Sequence, residues 1–126
     1  MIKRELYLSK IRGFYFQNDL IKIITGMRRS GKSILLTQIM NELRDSGISD
    51  DHIIYINFED FDFADIKEAR QLDEYLKSKI IDDETHYIFL DEIQSVNEFK
   101  KIINSYRSKG KSSIFITGSN SRLLAG

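Results

Sequence analysis

A chain of 126 residues is long enough for one domain with a packed core and too short for two. Ile, Leu, Val and Phe supply 40 of those residues, 20 of them Ile, which excludes intrinsic disorder and suits buried strands. Lys plus Arg and Asp plus Glu balance at 19 each, so no global field draws the chain toward nucleic acid or an anionic membrane.

With no Cys, a disulfide framework and a thiolate metal site are both excluded, and a reducing cytoplasm is compatible. No apolar run is long enough to span a membrane, and the opening MIKRELYLSK has no signal-peptide pattern. A cytoplasmic location without membrane contact is the expectation.

Residues 2–16 place Leu6, Ile11 and Phe14 among charges, as a short helix or extended arm packing on the domain would. Residues 20–25 (LIKIIT) read as a strand running into residues 26–33, GMRRSGKS. That octet fits the phosphate-loop pattern G-x-x-x-x-G-K-[ST], whose backbone N–H groups wrap nucleotide phosphates. Gly26 and Gly31 permit close backbone approach, Lys32 faces the β- and γ-phosphates, and the Ser33 hydroxyl is placed for Mg²⁺. Met27, Arg28, Arg29 and Ser30 fill the variable positions and Ile34 follows; the whole stretch is the candidate nucleotide-binding segment. Arg28 and Arg29 are read as outward or structural.

Leu35, Leu36, Ile39, Met40 and Leu43 recur at helical spacing, with Gly47 as a stop, so the loop stands between a strand and a helix. Residues 52–58 (HIIYINF) predict a second strand, apolar enough for burial on both faces. Residues 59–68 mix acids with Phe61 and Phe63; the expectation is a solvated loop with both aromatics tucked inward, rather than a metal site at Glu59 and Asp60. Ile66, Ala69, Leu72, Leu76 and Ile80 predict the next helix.

A third strand at residues 86–90 (HYIFL) delivers Asp91 and Glu92 at its C-terminal end. Phe99, Ile102, Ile103 and Tyr106 mark a helix that Gly110 ends, and Lys100, Lys101, Arg107 and Lys111 give it a solvated basic side. A fourth strand at residues 113–117 (SIFIT) leads to Gly118, Ser119 and Asn120. Strands alternating with helices predict an α/β domain with a parallel sheet, and ligands in such sheets bind at the carboxyl ends of the strands. Asp91 is the candidate Mg²⁺ acid beside Ser33, and Glu92 the candidate general base. Ser119 and Asn120, with Thr117 as competitor, are candidates to bond the γ-phosphate or the attacking water; the rival reading is a simple turn.

Together GMRRSGKS, YINFED, YIFLDEIQ and ITGSNSRLL resemble the AAA+ P-loop ATPase domain of a large prokaryotic group known as predicted AAA+ ATPases or ATP-binding proteins. The resemblance runs from about residue 21 to 124. It implies a three-layer core with sheet order 1-4-3-2, ATP and Mg²⁺ as cofactors, and ATP hydrolysis coupled to conformational change. By the same resemblance the phosphate loop is 26–33, the Mg²⁺ acid Asp91, the catalytic glutamate Glu92, and the polar sensor Ser119 or Asn120.

Members of the group continue into a fifth strand, a lid and a C-terminal domain. The chain is therefore expected to be an N-terminal piece, weak or inactive alone, with strand one as an edge open to another copy. Any nucleic-acid contact is expected through that further domain. Two other readings remain: a nucleotide-binding or interaction module without turnover, and a P-loop small-molecule kinase. Asp-Glu after the third strand weighs against the kinase. No N-K-x-D base-reading motif favours a GTPase, and no L-S-G-G-Q signature favours an ABC-type ATPase.

Overall fold

The computed structural model describes residues 2–25, 29–119 and 123. The four apolar runs form four strands, β1 (Ile21–Ile24), β2 (Ile53–Asn57), β3 (His86–Asp91) and β4 (Ser112–Thr117). Between them run α2 (Arg29–Asp45), α3 (Ala69–Lys79) and α4 (Phe99–Lys109), and α1 (Ile2–Ile11) precedes β1. The sheet is parallel throughout in the order β1-β4-β3-β2, as the resemblance implied. Each pair of successive strands is joined by a helical crossover, which parallel pairing requires.

The two-residue period of the strands divides the core. Ile54, Ile56, Ile88, Leu90, Ile114 and Ile116 point to one face, where Leu72 and Leu76 of α3 and Ile102, Ile103 and Tyr106 of α4 cover them. Ile24, Phe89 and Phe115 point to the other, against Leu35, Leu36, Ile39 and Leu43 of α2 and Leu8 and Ile11 of α1. Register places Phe89 beside Phe115, and their rings stack at 4.5 Å with planes 7° apart. The result is three layers, helix–sheet–helix.

The opening segment is a helix followed by a tight turn over Arg12–Phe14, and it is tied to the core at several points. Arg12 Nε and Nη2 donate to Glu42 on α2 at 3.0 and 2.7 Å, Nη1 donates to Glu5 at 2.6 Å, and the Tyr15 hydroxyl donates to Glu42 at 2.8 Å. Lys22 is almost fully buried; its Nζ donates to Gln17 O at 2.8 Å and Ser113 Oγ at 2.9 Å and lies 4.9 Å from the centre of the Phe115 ring. Desolvation pushes its pKa down to about 8, against the opposing pull of Asp19.

Three expectations need correction. Strand β2 is a sheet edge: Ile54 and Ile56 are buried, but Ile53 and Tyr55 on the opposite face are only partly covered. Phe61 is 88% exposed, because the short turn Phe61–Phe63, capped by Asp60 accepting from Asp62 N, turns only Phe63 inward, edge-on to Tyr75. Ile66 lies outside α3, which starts at Ala69 behind a capping box of Glu68 and Gln71.

Gly110 does end α4, at φ 73°, a left-handed angle that glycine adopts without strain. Strand β1 pairs only with β4 among the described residues, and Leu20 and Ile23 along its edge are each 43% exposed. No helix of the described residues is long and apolar enough to cross a membrane.

Candidate functional site

The C-terminal edge of the sheet gathers the polar groups. Asp91 is the last residue of β3 and only 1% exposed; Thr117 is the last of β4 and fully buried. The first turns of α2 bring Lys32 and Ser33 over the same edge, because β1 lies beside β4 and α2 begins a few residues beyond it.

The buried carboxylate of Asp91 is held on both oxygens. Oδ1 accepts from Thr117 Oγ1 at 2.6 Å; Oδ2 accepts from Ser33 Oγ at 2.8 Å and from the Tyr55 hydroxyl at 3.0 Å. Burial raises the pKa of Tyr55, and the neighbouring Asp91 charge raises it further, so the phenol stays protonated as a donor. Lys32 is only 5% exposed, and its Nζ ion-pairs with Glu92 Oε2 at 3.0 Å and donates to Gly118 O at 3.1 Å.

Glu92 stands at φ 60° and ψ 50°, a left-handed conformation that costs a non-glycine residue about 1–2 kcal/mol. The surrounding bonds fix it there. Its N–H donates to Thr117 Oγ1 at 2.9 Å, and its Oε1 accepts from Gln94 Nε2 at 2.7 Å. Gln94 in turn fills the space above Gly118, where an added Cβ would lie 2.3 Å from Gln94 Oε1.

Of the residues singled out by sequence, Lys32, Ser33, Asp91, Glu92 and Thr117 come together. Ser119 is exposed, Gly31 half-buried, and Ile34 44% exposed. Gly26, Met27, Arg28 and Asn120 lie outside the described residues, as do the side chains of Arg29 and Ser30. Tyr55 and Gln94 were not singled out. Tyr55 carried a faint signal, a phenol in an apolar strand; Gln94 carried none beyond its position two residues after Glu92.

Ser33 Oγ and Asp91 Oδ2 form an all-oxygen donor pair of the kind a hard cation such as Mg²⁺ takes. Lys32 beside them supplies positive charge for an anion. A groove of about 690 Å³ runs along the β1 edge, but Leu6, Ile11, Phe14 and Ile23 line it with apolar surface and it includes none of these groups. Convergence of charge, rather than cavity size, marks the site.

A parallel 1-4-3-2 sheet carrying a lysine–serine pair opposite Asp-Glu is a P-loop NTPase-like core. The model of the AAA domain family matches residues 18–126, and the chain belongs to that family. It is therefore an AAA-type nucleotide-binding domain, ATPase-like in general character.

Over its whole length it is 42% identical to an uncharacterized protein of Haemophilus influenzae, of which it covers 32%. Over 83% of its length it is 43% identical to an uncharacterized protein of Methanocaldococcus jannaschii, of which it covers 22%. The chain thus spans a third or less of the curated relatives it matches.

Proposed function

We propose that this domain binds ATP with Mg²⁺ and hydrolyses it, coupling turnover to a change of conformation in a cytoplasmic protein. The supporting observation is the convergence of Lys32, Ser33, Asp91 and Glu92 on one sheet edge, joined by bonds of 2.8–3.0 Å. Residues 26–34 hold the nucleotide, and Ser33 and Asp91 hold the metal. Mg²⁺ bound there would supply positive charge to offset that of the phosphates.

Lys32 Nζ and Glu92 Oε2 form an ion pair. Drawing the Lys32 Nζ to the β- and γ-phosphates separates that pair and leaves Glu92 able to take a proton from water. The water oxygen forms a bond to the γ-phosphorus, the bridging oxygen leaves with ADP, and the proton passes to Glu92. Thr117, bonded to both acids, holds them in register, while Ser119 and Asn120 are the groups that contact the γ-phosphate or the water. Activity, substrates, self-association and any nucleic-acid partner of a longer protein containing this domain belong to the same proposal.

The test is phosphate release and ATP binding in parallel. Glu92→Gln should bind ATP and lose turnover; Lys32→Ala should lose both. Equal ATP affinity in the wild type and Lys32→Ala would contradict the assignment of the site.

A further inference from the structure

The opposite end of the sheet carries a second cluster of chemically active side chains. His52 immediately precedes β2 and His86 opens β3. Register pairs Ile53 with Tyr87, so these two histidines stand side by side at the N-terminal ends of neighbouring strands. Their ring centres are 4.7 Å apart. The turn before β3 adds Asp82, whose carboxylate oxygens lie 2.8 and 3.0 Å from His52 Nε2. One ligand atom from each of His52, Asp82 and His86 falls within 4.8 Å of the others. At about 3.3 Å per residue, the length of β3 separates this cluster from Asp91 by about 16 Å.

The hydrogen bonds say which nitrogen of each ring carries the lone pair. His86 Nδ1 lies 2.9 Å from Glu84 O, which can only accept, so that nitrogen carries the proton. Its Nε2 keeps the lone pair, which the Ile81 N–H engages at 3.2 Å; an ion there would displace that N–H, and Ile81 is exposed enough to turn it to solvent. His52 Nδ1 lies 3.0 Å from Asp51 Oδ1, a carboxylate oxygen that only accepts and so favours the proton on Nδ1, and 2.9 Å from Ser49 Oγ.

The neutral ring of His52 would then aim its Nε2 lone pair at the Asp82 carboxylate, acceptor against acceptor at 2.8 Å. Something positive lies between them: a proton on Nε2, or a metal ion. Two imidazoles presenting Nε2, each with Nδ1 held by an oxygen acceptor, is the arrangement that orients metal-bound histidines.

We propose that His52, Asp82 and His86 form a site for a divalent transition-metal ion of the zinc class, separate from the nucleotide edge. Two nitrogens and one carboxylate oxygen suit Zn²⁺ or Co²⁺, and Mg²⁺, which prefers oxygen, far less. Asp82 is exposed, its Oδ1 also accepts the Glu84 N–H at 2.9 Å, and solvent completes the coordination. The bound ion joins the turn before β2 to the turn before β3, so it acts on stability rather than on ATP chemistry. This inference does not depend on the proposed hydrolysis.

The test is titration of the chelator-treated protein with Co²⁺, followed by visible absorption, and with Zn²⁺, followed by the unfolding midpoint. The wild type should bind one Co²⁺ with nitrogen-ligand bands, and Zn²⁺ should raise the midpoint by mass action. Asp82→Asn and His52→Gln, both at accessible positions, should weaken binding by at least the about 10–100-fold that loss of an outer-shell partner alone costs. Asp91→Asn should leave Co²⁺ binding unchanged. No Co²⁺ bands in the wild type would overturn the site and leave a proton on Nε2 as the bridge. Binding that survives both variants, or that follows Asp91 instead of Asp82, would overturn it equally.

Discussion

The Thr117 hydroxyl donates to Asp91 Oδ1 at 2.6 Å while accepting the Glu92 N–H at 2.9 Å. One side chain at the end of β4 therefore sets both acids at the end of β3. Replacing it with the isosteric Val leaves a buried carboxylate oxygen and a buried N–H without that partner, at a cost of about 1–3 kcal/mol for each group and more for the charged one. Thr117→Ser keeps the hydroxyl and should cost less. Urea unfolding of the two variants checks the order.

Lys32 and Glu92 are a buried pair, each side chain 7% exposed. Removing one partner of such a pair typically destabilises by about 3–5 kcal/mol, because the other charge is left uncompensated. Lys32→Ala should therefore destabilise strongly, and Lys32→Ala combined with Glu92→Gln should destabilise by less than the two separate losses added. The expected coupling is about 0.5–3 kcal/mol, read from a double-mutant cycle of denaturation midpoints. Strict additivity would mean that the pair contributes nothing to the fold.

Gly118 admits no side chain without a shift: a Cβ would meet Gln94 Oε1 at 2.3 Å and Leu123 Cγ at 2.8 Å. The end of Gln94 is flexible and yields by rotating off Glu92. Leu123 must shift as well, and Gly118→Ala should cost about 1–3 kcal/mol, the usual range for overpacking. Its effect on turnover should be larger, through Glu92. Parallel measurement of the unfolding midpoint and of ATP turnover separates the two effects.

The opening segment makes stability depend on acid. The hydrogen bond from Arg12, partly opposed by burial and helped by Tyr15, holds the Glu42 carboxyl below its ordinary value of 4.5. A carboxyl with a depressed folded pKa contributes stability that is fully present above its unfolded value. That contribution is lost as pH falls through the folded pKa. The urea midpoint should therefore fall on acidification below about pH 4.5, and Glu42→Gln should flatten that fall.

Much of this was legible in the sequence. Runs such as HYIFL and SIFIT, bounded by polar turns, could only be strands, and GMRRSGKS with YIFLDE pointed to Lys32, Ser33, Asp91 and Glu92. The strand order was legible only through resemblance, since parallel register is a long-range property that local pattern does not encode. Thr117 entered as a rival to Ser119 and Asn120 because all three fall at or just after the end of the run SIFIT in the sequence; its burial between Asp91 and Glu92 gives it a different role.

Tyr55 and Gln94 were missed for a related reason. What each bonds depends on how β2 lies against β3 and on the left-handed turn at Glu92. His52 and His86 lie 34 positions apart in the chain and become neighbours only through the Ile53–Tyr87 register.

The measurement that bears most directly on the nucleotide site is the thermal unfolding midpoint with and without Mg²⁺-ATP, in the wild type and in Lys32→Ala. A ligand at 100 times its dissociation constant stabilises the folded chain by about 2.7 kcal/mol, a shift of several degrees for a domain of this size. A shift in the wild type and none in a cooperatively unfolding Lys32→Ala is the predicted result. An equal shift in both, or none in either, would contradict the site.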